Sequence, residues 1–145
     1  MIADFGLRIE DGILNNRHDW EFTIMTPEAM KKRTKAFGLD IIRLVASLPA
    51  STVAKRLGDQ LLRSATSVGA NYRAACRAKS RADFVAKMGI VEEEADESLY
   101  WLELLDDLAI ADPGKTAPLL AEASQLVAIV VASINTARPA RKNVF

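Results

Sequence analysis

The stretch Gln60–Leu105 reads QLLRSATSVGANYRAACRAKSRADFVAKMGIVEEEADESLYWLELL and decides the fold. Leu61, Ala65, Val68, Tyr72 and Ala75 recur at helical spacing, with Leu57 one turn before them. Phe84, Met88, Val91, Ala95, Ser98, Leu102, Leu105 and Ala109 form a heptad seam on the far side of Lys79-Ser80. Spacings alternating between 3 and 4 residues place such positions on one stripe of a helix. The segment is therefore two long helices meeting at a short basic joint. Ser80 reads as the cap of the second, with Asp83 three residues on in a box-like arrangement.

Two more helices flank this pair. Thr26-Pro27-Glu28 is a start signal: a capping hydroxyl, a preset φ, then a carboxylate at the positive end. Met30, Thr34, Phe37, Ile41, Leu44 and Leu48 continue as a seam until Leu48-Pro49 stops it. Ser51 or Thr52 restarts the chain. Asp112-Pro113-Gly114 reads as the stop of the third helix, and Thr116–Ala137 as the fourth. Its middle, LVAIVVASI, is apolar nearly all round. A helix apolar on every side is covered on every side, so the run predicts a subunit interface. The fold expected is all-α: an antiparallel up-down four-helix bundle spanning residues 26–138.

Residues 1–25 precede the bundle as an N-terminal arm. Phe5, Leu7 and Ile9 alternate with Gly6, Arg8 and Glu10 before Asp11-Gly12, and Trp20, Phe22 and Ile24 alternate likewise. A small hairpin, a segment swapped onto a neighbour and a flexible tail all fit this pattern. Residues 139–145 are a basic tail.

Composition narrows the function. The chain has 145 residues and a formal net charge of zero, which argues against strong, indiscriminate nucleic-acid affinity. The charge is unevenly spread: residues 51–87 carry 8 basic and 2 acidic side chains, residues 88–145 carry 4 and 10. One cysteine, Cys76, excludes an internal disulfide framework. With no signal-peptide pattern and no uninterrupted apolar run of membrane length, a soluble cytoplasmic protein is expected, with no membrane contact. His18 is the lone histidine, so no helix supplies the imidazoles of a di-iron bundle, and neither Ser67 nor Cys76 has a histidine base. Arg73 and Arg77 lie near Cys76 and would lower its pKa, but the reading favoured for Cys76 is a small residue packed between helices. No metal, cofactor or catalytic residue is expected, and the chain reads as non-enzymatic.

Two constellations remain. Gln60, Ser64, Ser67 and Asn71 form a polar row beside the apolar face of the second helix. They are expected to face Glu94, Glu97 and Tyr100 of the third, either as a hydrogen-bonded layer that fixes register or as a groove for a partner. Arg63, Arg73, Arg77, Lys79 and Arg81 gather towards the joint and are candidates for contact with a partner or with phosphates of RNA or DNA.

The same residues carry a resemblance. Gln60, Leu61, Arg63, Ser64, Ala65, Ser67, Val68 and Asn71, followed by Ser80, Phe84 and Glu97, resemble the pattern of the four-helix-bundle proteins encoded in 23S rRNA intervening sequences. Accessory variability determinants of diversity-generating retroelements share that fold. The resemblance covers about residues 27–137. Ala74 and Ala75 stand where the family usually continues after the asparagine with Ala-Glu-Gly, and Glu93 and Glu94 replace its Gly-Ser pair. It implies a ring-like homopentamer without enzyme activity. For the retroelement branch it also implies contact with a reverse transcriptase and nucleic acid through a basic surface. The function expected is a homo-oligomeric helical scaffold that binds another macromolecule, protein or nucleic acid. The alternative is an RNA- or DNA-binding accessory protein that uses the basic joint.

Overall fold

The computed structural model describes residues 25–138; the arm and the basic tail expected from the sequence lie almost wholly outside them. Four helices follow in order: α1 Pro27–Ala46, α2 Thr52–Ala75, α3 Arg81–Asp107 and α4 Pro113–Ala137. Each packs on its neighbours in sequence, and α1 closes the ring against α4. The result is the all-α antiparallel bundle that the seams require.

Each of the first three starts has a hydroxyl cap. The side chains of Thr26, Ser51 and Ser80 accept from the backbone N–H of Ala29, Ala54 and Asp83. Each satisfies one amide that the first turn leaves without a helical acceptor. Asp83 completes a variant of the capping box. Its carboxylate accepts from the N–H of Lys79 at 3.0 Å, one residue before the cap.

The core follows the seams closely. Met30, Thr34, Phe37, Ile41 and Leu44 are buried on α1, and the whole α3 seam from Phe84 to Leu105 is buried. Ala109 departs from it. It is exposed, lies beyond the end of α3, and has φ 53°. Ile110 N–H donates to the Leu105 carbonyl and Ala109 N–H to that of Asp106. This is a Schellman closure with alanine where glycine is usual.

The α3–α4 connection corrects the sequence expectation. Asp112-Pro113 does not stop α3, which ends at Asp107. Asp112 instead caps α4, accepting from Gly114 N–H, and Pro113 opens that helix. An aspartate followed by proline suits the N-terminal cap and first helical position, and the Schellman turn had already ended α3. Pro118 lies inside α4. Both Pro118 and Gly114 are exposed, so water can reach the carbonyl that the proline leaves without a helical donor.

The apolar run of α4 divides by size. Leu119, Leu126, Ile129, Val130 and Ile134 are buried, while the exposed face carries Ala117, Ala121, Ala128 and Ala132. By length and composition α4 would suit a membrane span, but in the bundle it supplies the core. The exposed large apolar side chains among the described residues lie elsewhere: Leu39 and Ile42 on α1, Val53 on α2, Ile90 and Tyr100 on α3, and Leu108 at its end.

Two glycines bring α1 and α2 close. A Cβ on Gly69 would sit 3.3 Å from Thr34 Oγ1 and 3.5 Å from its backbone carbonyl atoms. The backbones of α1 and α2 therefore approach closely at this point. Gly38 faces the Ala65 carbonyl in the same way, with a Cβ distance of 3.9 Å.

Candidate functional site

The polar row of α2 divides into members that cross to α3 and members that do not. Ser64 is fully buried and meets Ser98 of α3, with the two hydroxyl oxygens 3.0 Å apart. Each is also within reach of a carbonyl of its own helix, Leu61 for Ser64 and Glu94 for Ser98. A pair of small hydroxyls inside a dry seam tolerates one register, because a slip would strand them against apolar neighbours.

The adjacent residue, Arg63, reaches both Glu97 and Glu94, the latter with Nη1–Oε2 at 3.3 Å. The Trp101 indole donates to the same Glu97 carboxylate at 3.1 Å. The hydrogen bond from Arg63 holds the Glu97 carboxyl below its usual range, against partial desolvation. The same bond raises the Arg63 guanidinium further. Arg63, Ser64, Glu94, Glu97 and Ser98 thus form a polar layer between α2 and α3, of which Ser64, Glu94 and Glu97 were members expected from the sequence.

The remaining members stay out of it. Ser67 donates to the Arg63 carbonyl and Asn71 to the Ser67 carbonyl, both within α2. Gln60 is exposed. Tyr100 is exposed and stands edge-on to Trp101, ring centroids 5.1 Å apart.

The basic residues also divide. Arg63 is ten residues before Arg73, about 15 Å along α2 at 1.5 Å per residue, and its charge is matched by two carboxylates. Arg73, Arg77, Lys79 and Arg81 are all exposed at the α2–α3 end. The Asp83 carboxylate hydrogen-bonds the Lys79 backbone N–H and the ammonium of Lys87, the latter at 2.7 Å, and forms no direct ion pair with the Lys79 ammonium. Those bonds, led by the one from Lys87, lower its pKa.

Antiparallel packing adds cations that joint-centred reading missed. The N-terminal half of α1 lies beside the C-terminal half of α2, as the Gly69–Thr34 approach requires. Lys31, Lys32 and Lys35 therefore join Arg73 around an outer groove of about 910 Å³ between α1 and α2. Gly69 and Ala70 are part of its lining, and Leu39 and Ile42 lie at its far end. Arg33, in the same KKRTK run, points the other way and pairs with Glu122 of α4 at 2.6 Å. Among the described residues, Lys31, Lys32, Lys35, Arg73, Arg77 and Lys79 form no ion pair. The available signal was the charge run in α1. Its division between two faces follows from helical phase.

Cys76 and Tyr72 lie behind this end of the bundle. Burial pushes the Cys76 thiol up, and that outweighs the lowering by the Tyr72 hydrogen bond, Lys31 and Arg77. Burial likewise pushes the Tyr72 phenol up. Desolvation of the thiolate is the larger effect, which suits a cysteine that packs between helices. Among the described residues no group of three or more acidic, histidine or cysteine side chains is arranged to hold a metal ion.

Residues 29–132, most of the described bundle, match a family model described as 23S rRNA-intervening sequence protein. The chain belongs to that family. A crystal structure of a protein with unknown function from the S23 ribosomal protein family of Bacteroides thetaiotaomicron VPI-5482 is also similar, at 31% identity and TM-score 0.69. The similarity covers 75% of this chain and 97% of that one. No curated protein matches. The family match takes in the polar layer, the basic joint and most of the α1–α2 groove, and leaves residues 1–28 outside it.

Proposed function

We propose that the chain is a non-enzymatic helical scaffold that self-associates and engages another macromolecule through its cationic end. The observation carrying this reading is the gathering of Lys31, Lys32, Lys35, Arg73, Arg77 and Lys79 at one end without carboxylate partners among the described residues. Charges left in water at one pole contribute little to folding, and they attract a polyanion over about one Debye length, ~8 Å at physiological salt. In the α2–α3 layer the charges are paired, and buried side-chain polar atoms among the described residues are satisfied, so no convergent set of groups is left there for acid–base chemistry. Family membership adds no catalytic assignment.

Self-association is supported by α3. Ile90, Trp101, Leu104 and Leu108 follow one another at or near the outer row of that helix, half-buried or exposed. A second copy would bury them. A homopentamer, as the family resemblance implied, is one closed arrangement that provides this.

Nucleic acid is the partner class that the cationic end favours, since phosphates are what clustered Lys and Arg recognise without a stacking platform. Binding should be salt-dependent. For about five phosphate contacts on single-stranded RNA, log K against log salt has a slope of about −3.5. The Arg77→Glu/Lys79→Glu variant should lose most of the affinity while keeping its helical spectrum. Equal retention of RNA by parent and variant would remove the reading.

A further inference from the structure

We infer that the outer groove between α1 and α2 is the seat of the chain's own N-terminal arm, residues 17–24 in particular. The groove has three properties that select an occupant. Its lining includes the small residues Gly38, Gly69 and Ala70. Its far end is apolar, with Leu39 and Ile42 42% and 43% exposed. Its lips are cationic, Lys31, Lys32 and Lys35 on one side and Arg73 on the other, against one carboxylate, Glu28, at the mouth.

The arm has the complementary set. Residues 1–24 carry Asp4, Glu10, Asp11, Asp19 and Glu21 against Arg8 and Arg17. Its last residues alternate, with Trp20, Phe22 and Ile24 in one phase and Asp19 and Glu21 in the other. An extended segment of this kind offers apolar side chains to a groove floor and carboxylates to its lips.

Length and attachment agree. The arm joins the described chain at Met25, three residues before Glu28 at the mouth of the groove. From Glu28 to Ile42 the groove follows α1 for about 21 Å at 1.5 Å per residue. An extended chain covers that in about seven residues. A reversal at Met25 would therefore lay residues 17–24 along the groove in one pass. The family match begins at residue 29, so the arm would cover a surface that the shared bundle alone leaves open. This inference stands apart from the proposed function, although an arm so placed would compete with a polyanion for Lys32 and Lys35.

The test uses the full chain with Trp101→Phe, which leaves Trp20 as the one tryptophan. A seated arm gives blue-shifted emission and shielding from acrylamide. Adding Lys35→Glu with Leu39→Asp, both exposed positions, should raise the quenching constant several-fold with an unchanged helical spectrum. Trp20 fully accessible in the parent, or shielded identically in the groove variant, would overturn the inference. Shielding that disappears on dilution would also overturn it, in favour of an arm seated on a second copy. Should Trp101→Phe loosen the bundle, 5-fluorotryptophan in the otherwise native chain gives the same readout by fluorine NMR. The Trp20 resonance is assigned there with Trp20→Phe. RNA retention is not measured in either format, so this result and that of the proposed function are read separately.

Discussion

Replacing Gly89 and Gly69 separately by alanine asks whether α1 and α2 approach as closely as described. Both glycines are half-buried within helices, and both cost about 1 kcal/mol against alanine from backbone freedom alone. Their surroundings differ. A Cβ on Gly89 meets nothing within 4 Å. Gly89→Ala should thus gain close to the full propensity difference, about 1 kcal/mol, raising Tm by about 4 °C for a domain of this size. A Cβ on Gly69 comes within 3.3 Å of Thr34 Oγ1 and 3.5 Å of the Thr34 carbonyl carbon and oxygen. Thr34 cannot swing away cheaply. It is buried, and its hydroxyl donates within its own helix, 2.9 Å from the Met30 carbonyl and 3.2 Å from that of Lys31. Relief requires the α1 backbone to retreat, with loss of packing around Phe37 and Val68, and overpacking of this kind costs about 1–3 kcal/mol. Gly69→Ala should therefore melt at or below the parent. Thermal melts and urea titrations of the three proteins give the comparison. An equal rise for both variants would refute the close approach, and with it the stated geometry of the groove.

Two further substitutions probe other parts of the account. Ala109→Gly should stabilise by about 1 kcal/mol in urea titration, because alanine in the left-handed region pays a steric cost that glycine does not. Arg63→Gln should flatten the acid side of the stability profile. Glu97 has a folded pKa below its ordinary value, so its stabilisation is present above that ordinary value and fades as pH falls through the folded one. Melts between about pH 6 and about pH 3 should show a smaller loss in the variant than in the parent. An identical slope would mean that the Arg63–Glu97 bond does not persist in solution.

Much of the bundle was legible because one physical rule governs it. Residues that must meet a facing helix recur every three or four positions, so Phe84 through Leu105 could be read directly as a buried stripe. Caps were legible for the same reason of local chemistry: Thr26, Ser51 and Ser80 each precede a run that needs an acceptor. Asp112-Pro113-Gly114 was ambiguous because proline both follows helices and opens them. What decided it was the Ala109 turn, which carries no glycine to announce it. In the apolar run of α4 the exposed positions are Ala128 and Ala132, Val127 and Val131 are half-buried, and the remaining large residues are buried.

The candidate surface was harder to read, because it depends on register between helices. Ser64 with Ser98 and Arg63 with Glu97 are pairs 34 residues apart, and the row pattern offered Ser64 and Glu97 without their partners. Lys31, Lys32 and Lys35 reach Arg73 only because α1 and α2 run antiparallel with Thr34 against Gly69. The periodicity of one helix carries no information about which turn of the next it faces.

The central claim is that the cationic end engages a polyanion. Its most direct test is retention of a mixed RNA pool by the purified full chain across a salt series, with native mass measured on the same sample. The account predicts retention at low salt that falls steeply as salt rises, and its loss in Arg77→Glu/Lys79→Glu protein of unchanged helicity and mass. Absence of retention at low salt, or retention indifferent to those two charges, would contradict it.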